Sequence, residues 1–275
     1  MMPSFRARVK VVQEFNGGLL EFDPDSSPDA LGHYKIIYGE TFLGYDLAQQ
    51  FFYKYGKNKK YRNEAKVSGL NRLFSFPKGF KTVSADDGVD EFEPTPRLGG
   101  ETDFNFNEEK YGEFLAILED ELSASDLLPV VDALNYCRGR HHSLVNFSLM
   151  QAMGNMQGCK GRDRFDRLDK FIYLLNEYFC GRKNLPSDSR RLAKENIKSL
   201  EDYLSPFKER GEDGIYDYCN KIYLIEDRSF INRLIKKGNV PIESAEDVIE
   251  YMISAQEFWN LKEQRLLTIY GNLEK

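Results

Sequence analysis

The chain has 275 residues, of which 41% are hydrophobic and 30% charged. These are globular values that exclude a largely disordered chain. Its net charge of −6 excludes a protein that coats nucleic acid by bulk electrostatics, because displacing counterions needs a basic field. No apolar run approaches the roughly 20 residues a bilayer requires, and Met1 to Lys10 lacks the apolar core of a signal peptide. A cytoplasmic protein with no membrane partner is expected. Cys137, Cys159, Cys180 and Cys219 are widely spaced, and a chain this long needs no disulfide staples, so all four read as buried or semi-buried reduced thiols.

From the N-terminus, Phe5 to Val12 alternates like a strand, and Asn16-Gly17-Gly18 supplies the turn of a hairpin into Leu19 to Phe22. The turn-rich Asp23-Pro24-Asp25-Ser26-Ser27-Pro28 breaks this element. His33 to Tyr38 and Phe42 to Tyr55 are aromatic-rich and fit helix or strand equally. Between Tyr53 and Lys81 nine basic residues face a single acid, and between Ser84 and Glu109 nine acids face a single arginine. These neighbouring runs either neutralise each other across a loop or leave a basic surface for a phosphate-bearing partner. Ser84 to Thr102, with Pro94, Pro96, Gly99 and Gly100 among its acids, reads as an exposed loop or linker. It separates an N-terminal lobe, 1–103, from a helical domain, 104–275.

Beyond Phe104 the period becomes helical. Tyr111, Phe114, Leu115, Leu118 and Leu122 share one face, and Pro129 is expected to end or kink that helix. The strongest helix runs from about Arg164 to Cys180, with Phe165, Leu168, Ile172, Leu175 and Phe179 on one stripe, Asp163 as its cap and Gly181 as its stop. Arg190 to Tyr203, Asp213 to Ile225 and Arg228 to Lys237 read as shorter helices. Glu243 to Tyr270 reads as a long one with Val248, Met252, Ala255, Trp259 and Leu266 inward. The fold class is therefore mainly α with a small N-terminal β element (α+β), the C-terminal two thirds being a helical assembly.

The densest group of reactive side chains lies between Cys137 and Asp169. Glycines beside Lys160 and Arg162, directly before a helix start, resemble arrangements in which backbone amides and the helix dipole hold an anion. No Gly-x-x-x-x-Gly-Lys-Ser/Thr loop is present. A zinc site would recruit Cys137, His141 or His142, and Cys159, but the paired ligand spacings are missing and no metal site is expected. Cys159 beside His142 would make a nucleophile and base, whereas the structural alternative makes the histidines hydrogen-bonded residues at a bend and the cysteines small apolar fillers. Asp163, Asp166 and Asp169 fall on one helix face. They would hold a divalent cation, or simply satisfy the helix dipole and pair with Arg162, Arg164 and Arg167.

Asn146-Phe147-Ser148-Leu149-Met150, Gly154-Asn155, Lys160-Gly161 and Asp163-Arg164-Phe165-Asp166, followed by a helix ending Glu177-Tyr178-Phe179, resemble an uncharacterised bacterial protein family of unknown function. Phe22-Asp23, Asp25 to Pro28 and His33-Tyr34-Lys35 are similar to that family's N-terminal block, and Glu250-Tyr251 with the closing helix to its end. The resemblance implies no particular activity. The order His142, Asn146, Asn155, Lys160 also resembles the C-terminal part of HNH-type nucleases, although no histidine between Phe104 and Arg140 supplies the acidic-His pair that family expects.

The leading expectation is a loop-to-helix site over 138–166 that binds a nucleotide or a nucleic acid segment, with Arg138, Arg140, His141, His142, Asn146, Asn155, Lys160, Arg164 and Asp166 as ligand contacts. The sequence specifies neither a cofactor nor a reaction. Two alternatives stay open: a non-enzymatic interaction module whose protein partner docks on the C-terminal helix, and a divergent or relic HNH-like nuclease.

Overall fold

A computed structural model of the chain describes residues 80–83, 89–92, 106, 108–140, 143–146, 148, 167–185, 201 and 204–271. The expected hairpin over Phe5 to Phe22 and the helix over Arg190 to Tyr203 lie outside the described residues, apart from Glu201. Two short strands, β1 (Phe80–Val83) and β2 (Val89–Phe92), pair antiparallel with Phe80 opposite Phe92 and Val83 opposite Val89. The β2 segment falls inside the stretch expected to be a loop: four residues with Val and Phe at its ends suffice for a ladder despite the surrounding acids.

The rest of the described chain is mostly helical. Helix α1 (Glu108–Glu121) buries Phe114, Ile117 and Leu118, and it stops at Glu121 rather than at the proline. The chain restarts at α2 (Ala124–Arg140), where the Ser123 carbonyl accepts the Leu127 N–H at 2.9 Å and its hydroxyl donates to the Asp126 carboxylate at 2.8 Å. Pro129 sits inside α2 near its N-terminal end. Lacking an N–H, it forgoes one backbone bond, yet the helix continues for more than two further turns.

Helix α3 (Leu168–Phe179) starts at Leu168, with extended Arg167 as its N-cap residue, several residues later than the apolar stripe suggests. Leu168, Phe171, Ile172, Leu175 and Phe179 are buried. Its end is the expected one: Gly181 takes φ +70, and the Arg182 N–H returns to the Glu177 carbonyl at 2.8 Å. After a helical turn at 204–208, α4 (Gly214–Tyr218) runs into a π turn over Cys219–Tyr223. Leu224 closes that turn at φ 62, a left-handed conformation uncommon outside glycine.

Helix α5 (Arg228–Lys237) has the boundaries its sequence predicts. Asp227 caps it by accepting the N–H groups of Ser229 and Phe230 at 2.8 and 3.0 Å, and Phe230, Ile231 and Leu234 are buried. Helix α6 (Ala245–Gly271) opens with a reciprocal capping box. Ser244 N–H donates to Asp247 at 3.0 Å, and Asp247 N–H donates to the Ser244 hydroxyl at 3.2 Å. Glu121, at the end of α1, accepts the Ala245 N–H at 2.7 Å and places a negative charge at the positive end of α6.

Helix α6 is the axis of the assembly. Helices α1 and α2 pack on each other and on α6, while α5 packs against α3 and α3 against α4. Phe106, Phe114, Tyr251 and Trp259 form one aromatic cluster. Phe179, Phe207, Tyr218, Tyr223 and Phe258 form a continuous second one. Both clusters touch α6, and this is why it is buried on more than one face: Val248, Met252, Ala255, Trp259 and Leu266 are inward as expected, with Ile249, Tyr251 and Phe258 buried beside them. Among the described residues no helix is long and apolar enough to cross a membrane.

Candidate functional site

Three of the nine expected ligand contacts are described. Arg138 lies on the last turn of α2, paired with Glu108 and 4.8 Å over the Tyr111 ring. Arg140 is the last residue of that helix and lies 4.6 Å over the Tyr136 ring. Both therefore belong to a helix rather than to the expected loop. His141, His142, Asn155, Lys160, Arg164 and Asp166 lie outside the described residues, as do Cys159 and Asp163. Cys137 and Cys219 are buried thiols and Cys180 is half-buried. Burial pushes Cys137 up to about 12, which makes it a packing residue and a poor nucleophile at neutral pH.

Past α2 the chain makes a short 3-10 turn, Leu144–Asn146, that docks on α6. Asn146 is fully buried, and its side-chain oxygen accepts the indole N–H of Trp259 at 3.0 Å. Buried Ser148 accepts from the Lys262 amine at 2.5 Å. Trp259 and Lys262 are three apart on α6, so both lie on one face and hold Asn146 and Ser148 side by side. Burial lowers Lys262 well below its ordinary 10.5 and favours the neutral amine. Sequence reasoning missed Lys262, although it recurs at helical spacing within the inward stripe Ala255, Trp259, Leu266, where a lysine is out of place.

A second polar centre begins at Arg167. Its guanidinium grips Asp169 in bidentate fashion, at 2.9 and 2.7 Å, donates to the Lys237 carbonyl at 2.9 Å, and also donates to the Val240 carbonyl. Arg167 and Asp169 are each only 2% exposed. One arginine thus neutralises an acid on α3 and caps carbonyls at the C-terminal end of α5, where backbone acceptors lack helical partners. Of the two sequence readings of Asp169, pairing with Arg167 is the one observed. Gly238, next to this joint, has no room for a side chain.

Beside the joint lies a cleft of about 390 Å³ at the meeting of α3, α5 and the start of α6. Its cations are Arg167, Arg233, Lys236 and Lys237, and its carboxylates are Asp169, Asp247 and Glu250. Most of these charges are engaged. Lys237 pairs with Glu250 and Arg233 with Glu257, while Asp247 caps α6. Lys236 is exposed and has no hydrogen-bond or ion-pair partner among the described residues. Val240, Pro241, Ile242 and Tyr251 supply apolar wall. Sequence reasoning did not find this cleft because its walls come from three elements.

Fold and cleft together describe a helical protein with a charged recess at an inter-helix joint. Comparison of the chain with protein-family models, with curated proteins and with solved structures returned no match.

Proposed function

We propose that the protein binds a phosphate-bearing ligand, a nucleotide or a segment of nucleic acid, in the cleft that opens immediately after the 138–166 segment, at Arg167. The observation that carries this reading is Lys236, exposed and uncommitted in the lining of a recess whose volume suits a ligand. Ligand pockets span roughly 300–1,000 Å³ and use a few charged groups on largely apolar walls. Asn146, by contrast, is occupied in holding Trp259, so its role in this reading is to position the segment.

The test is a calorimetric and thermal-shift titration of the full chain with nucleotides and short oligonucleotides. A ligand at about 100 times its Kd stabilises the native state by about 2.7 kcal/mol. That stabilisation should disappear in Lys236→Ala, while the ligand-free melting temperature stays unchanged because the side chain is exposed. An identical ligand response in Lys236→Ala, or no response to any phosphate compound, would sink the proposal.

A further inference from the structure

We infer, on the basis of the phosphate reading above, that the cleft takes a small phosphomonoester carrying an apolar ring, of the nucleoside monophosphate class, and not a nucleic acid strand. Its volume of about 390 Å³ is near the lower end of ligand pockets, which is room for one drug-sized molecule. The charge count is equally restrictive. Four cations line the cleft against three carboxylates, and Glu257, which Arg233 holds, makes a fourth. Arg167 is spent on Asp169 and on two carbonyls, and Lys237 and Arg233 each hold a glutamate. Lys236 remains to meet a phosphate. Strand binding instead neutralises successive phosphates along a basic track, one counterion-releasing contact after another, and this rim offers no such row. Val240, at 51% exposure, supplies with Pro241 and Ile242 an apolar part of the same lining, on which a flat ring can pack.

The experiment is a calorimetric titration of the full chain with four probes: a nucleoside monophosphate, its nucleoside, inorganic phosphate and a single-stranded oligonucleotide. The monophosphate should bind, with the nucleoside and inorganic phosphate each weaker by about tenfold or more, equivalent to about 1.4 kcal/mol. The oligonucleotide should bind no tighter than the monophosphate. In Val240→Ser, whose backbone carbonyl still serves Arg167, monophosphate affinity should fall while the melting temperature holds. An oligonucleotide that binds tighter, with a log K against log salt slope of about −2 or steeper, corresponding to three or more phosphates at about −0.7 each, would overturn the monophosphate inference and leave the phosphate reading standing. Inorganic phosphate binding as tightly as the monophosphate would remove the ring from the inference alone. A nucleoside as tight as its monophosphate, or silence from every phosphate probe, would overturn both.

Discussion

A methyl group added to Gly238 would fall 2.0 Å from the carbonyl oxygen of Asp169. Gly238 has ordinary right-handed helical geometry, φ −61, so what the position requires is space and not conformational freedom. The clash is with backbone, which cannot swing aside as a flexible side chain would. Gly238→Ala must therefore push α5 away from α3, and the expected loss is about 3 kcal/mol in urea denaturation. Gly112→Ala is the control: nothing lies within 4 Å of the added carbon, and alanine inside α1 should add about 0.5–1 kcal/mol. Equal stability of Gly238→Ala and the parent would mean the two helices do not meet at this distance.

The buried Arg167–Asp169 pair predicts a non-additive double-mutant cycle. Removing either partner leaves the other charge buried and uncompensated, at a cost of about 3–5 kcal/mol. Arg167→Met should be the worse single change, because the Val240 carbonyl loses this donor and the Lys237 carbonyl keeps only the Val240 N–H. Arg167→Met with Asp169→Leu should cost less than the two singles together. Strict additivity in equilibrium unfolding would show that the pair is not formed in the native state.

Asn146 and Trp259 offer an optical test, since the chain contains 1 tryptophan. Asn146→Ala strands the indole N–H in a dry site and should destabilise the fold by about 1–3 kcal/mol, with a shift in the tryptophan emission maximum of the native protein. An unchanged spectrum together with unchanged stability would contradict the docking of the 143–148 segment on α6.

Lys262 predicts a pH dependence whose sign is set by its lowered pKa. Between its folded value and the ordinary 10.5, the unfolded chain carries a proton that the folded one does not, so stability rises with pH. One such proton changes the folding equilibrium by up to about tenfold per pH unit. Above 9.0 the thiols act oppositely. Burial keeps Cys137 and Cys219 protonated in the folded state, whereas the unfolded chain loses those protons, and stability falls. Denaturation curves should therefore show stability climbing with pH above the folded value of Lys262, and levelling or reversing beyond 9.0. Lys262→Met should lose the climb and keep the fall. A climb that survives in Lys262→Met would assign it to another group.

The local features were legible in the sequence. Asp227, the apolar residues at 230, 231 and 234, and Gly238 bound α5 because caps, periodicity and stops act within a few residues, and the inward stripe of α6 follows from the same 3.6-residue period. Where two local signals competed, the sequence left the outcome open: the break between α1 and α2 falls between Glu121 and Ala124 and not at Pro129, and α3 starts at Leu168 although Asp163 offers a cap. Other features were decided only by the tertiary structure. Asn146 gains its hydrogen-bond partner only in the fold, where the indole of Trp259, 113 residues away, donates to its oxygen, and Arg167 looked like one of several helix-start charges until α5 brought the Lys237 and Val240 carbonyls to it. A side chain's character is written in its own residue, but its hydrogen-bond partner and its burial depend on which distant surfaces meet, and no local period encodes that.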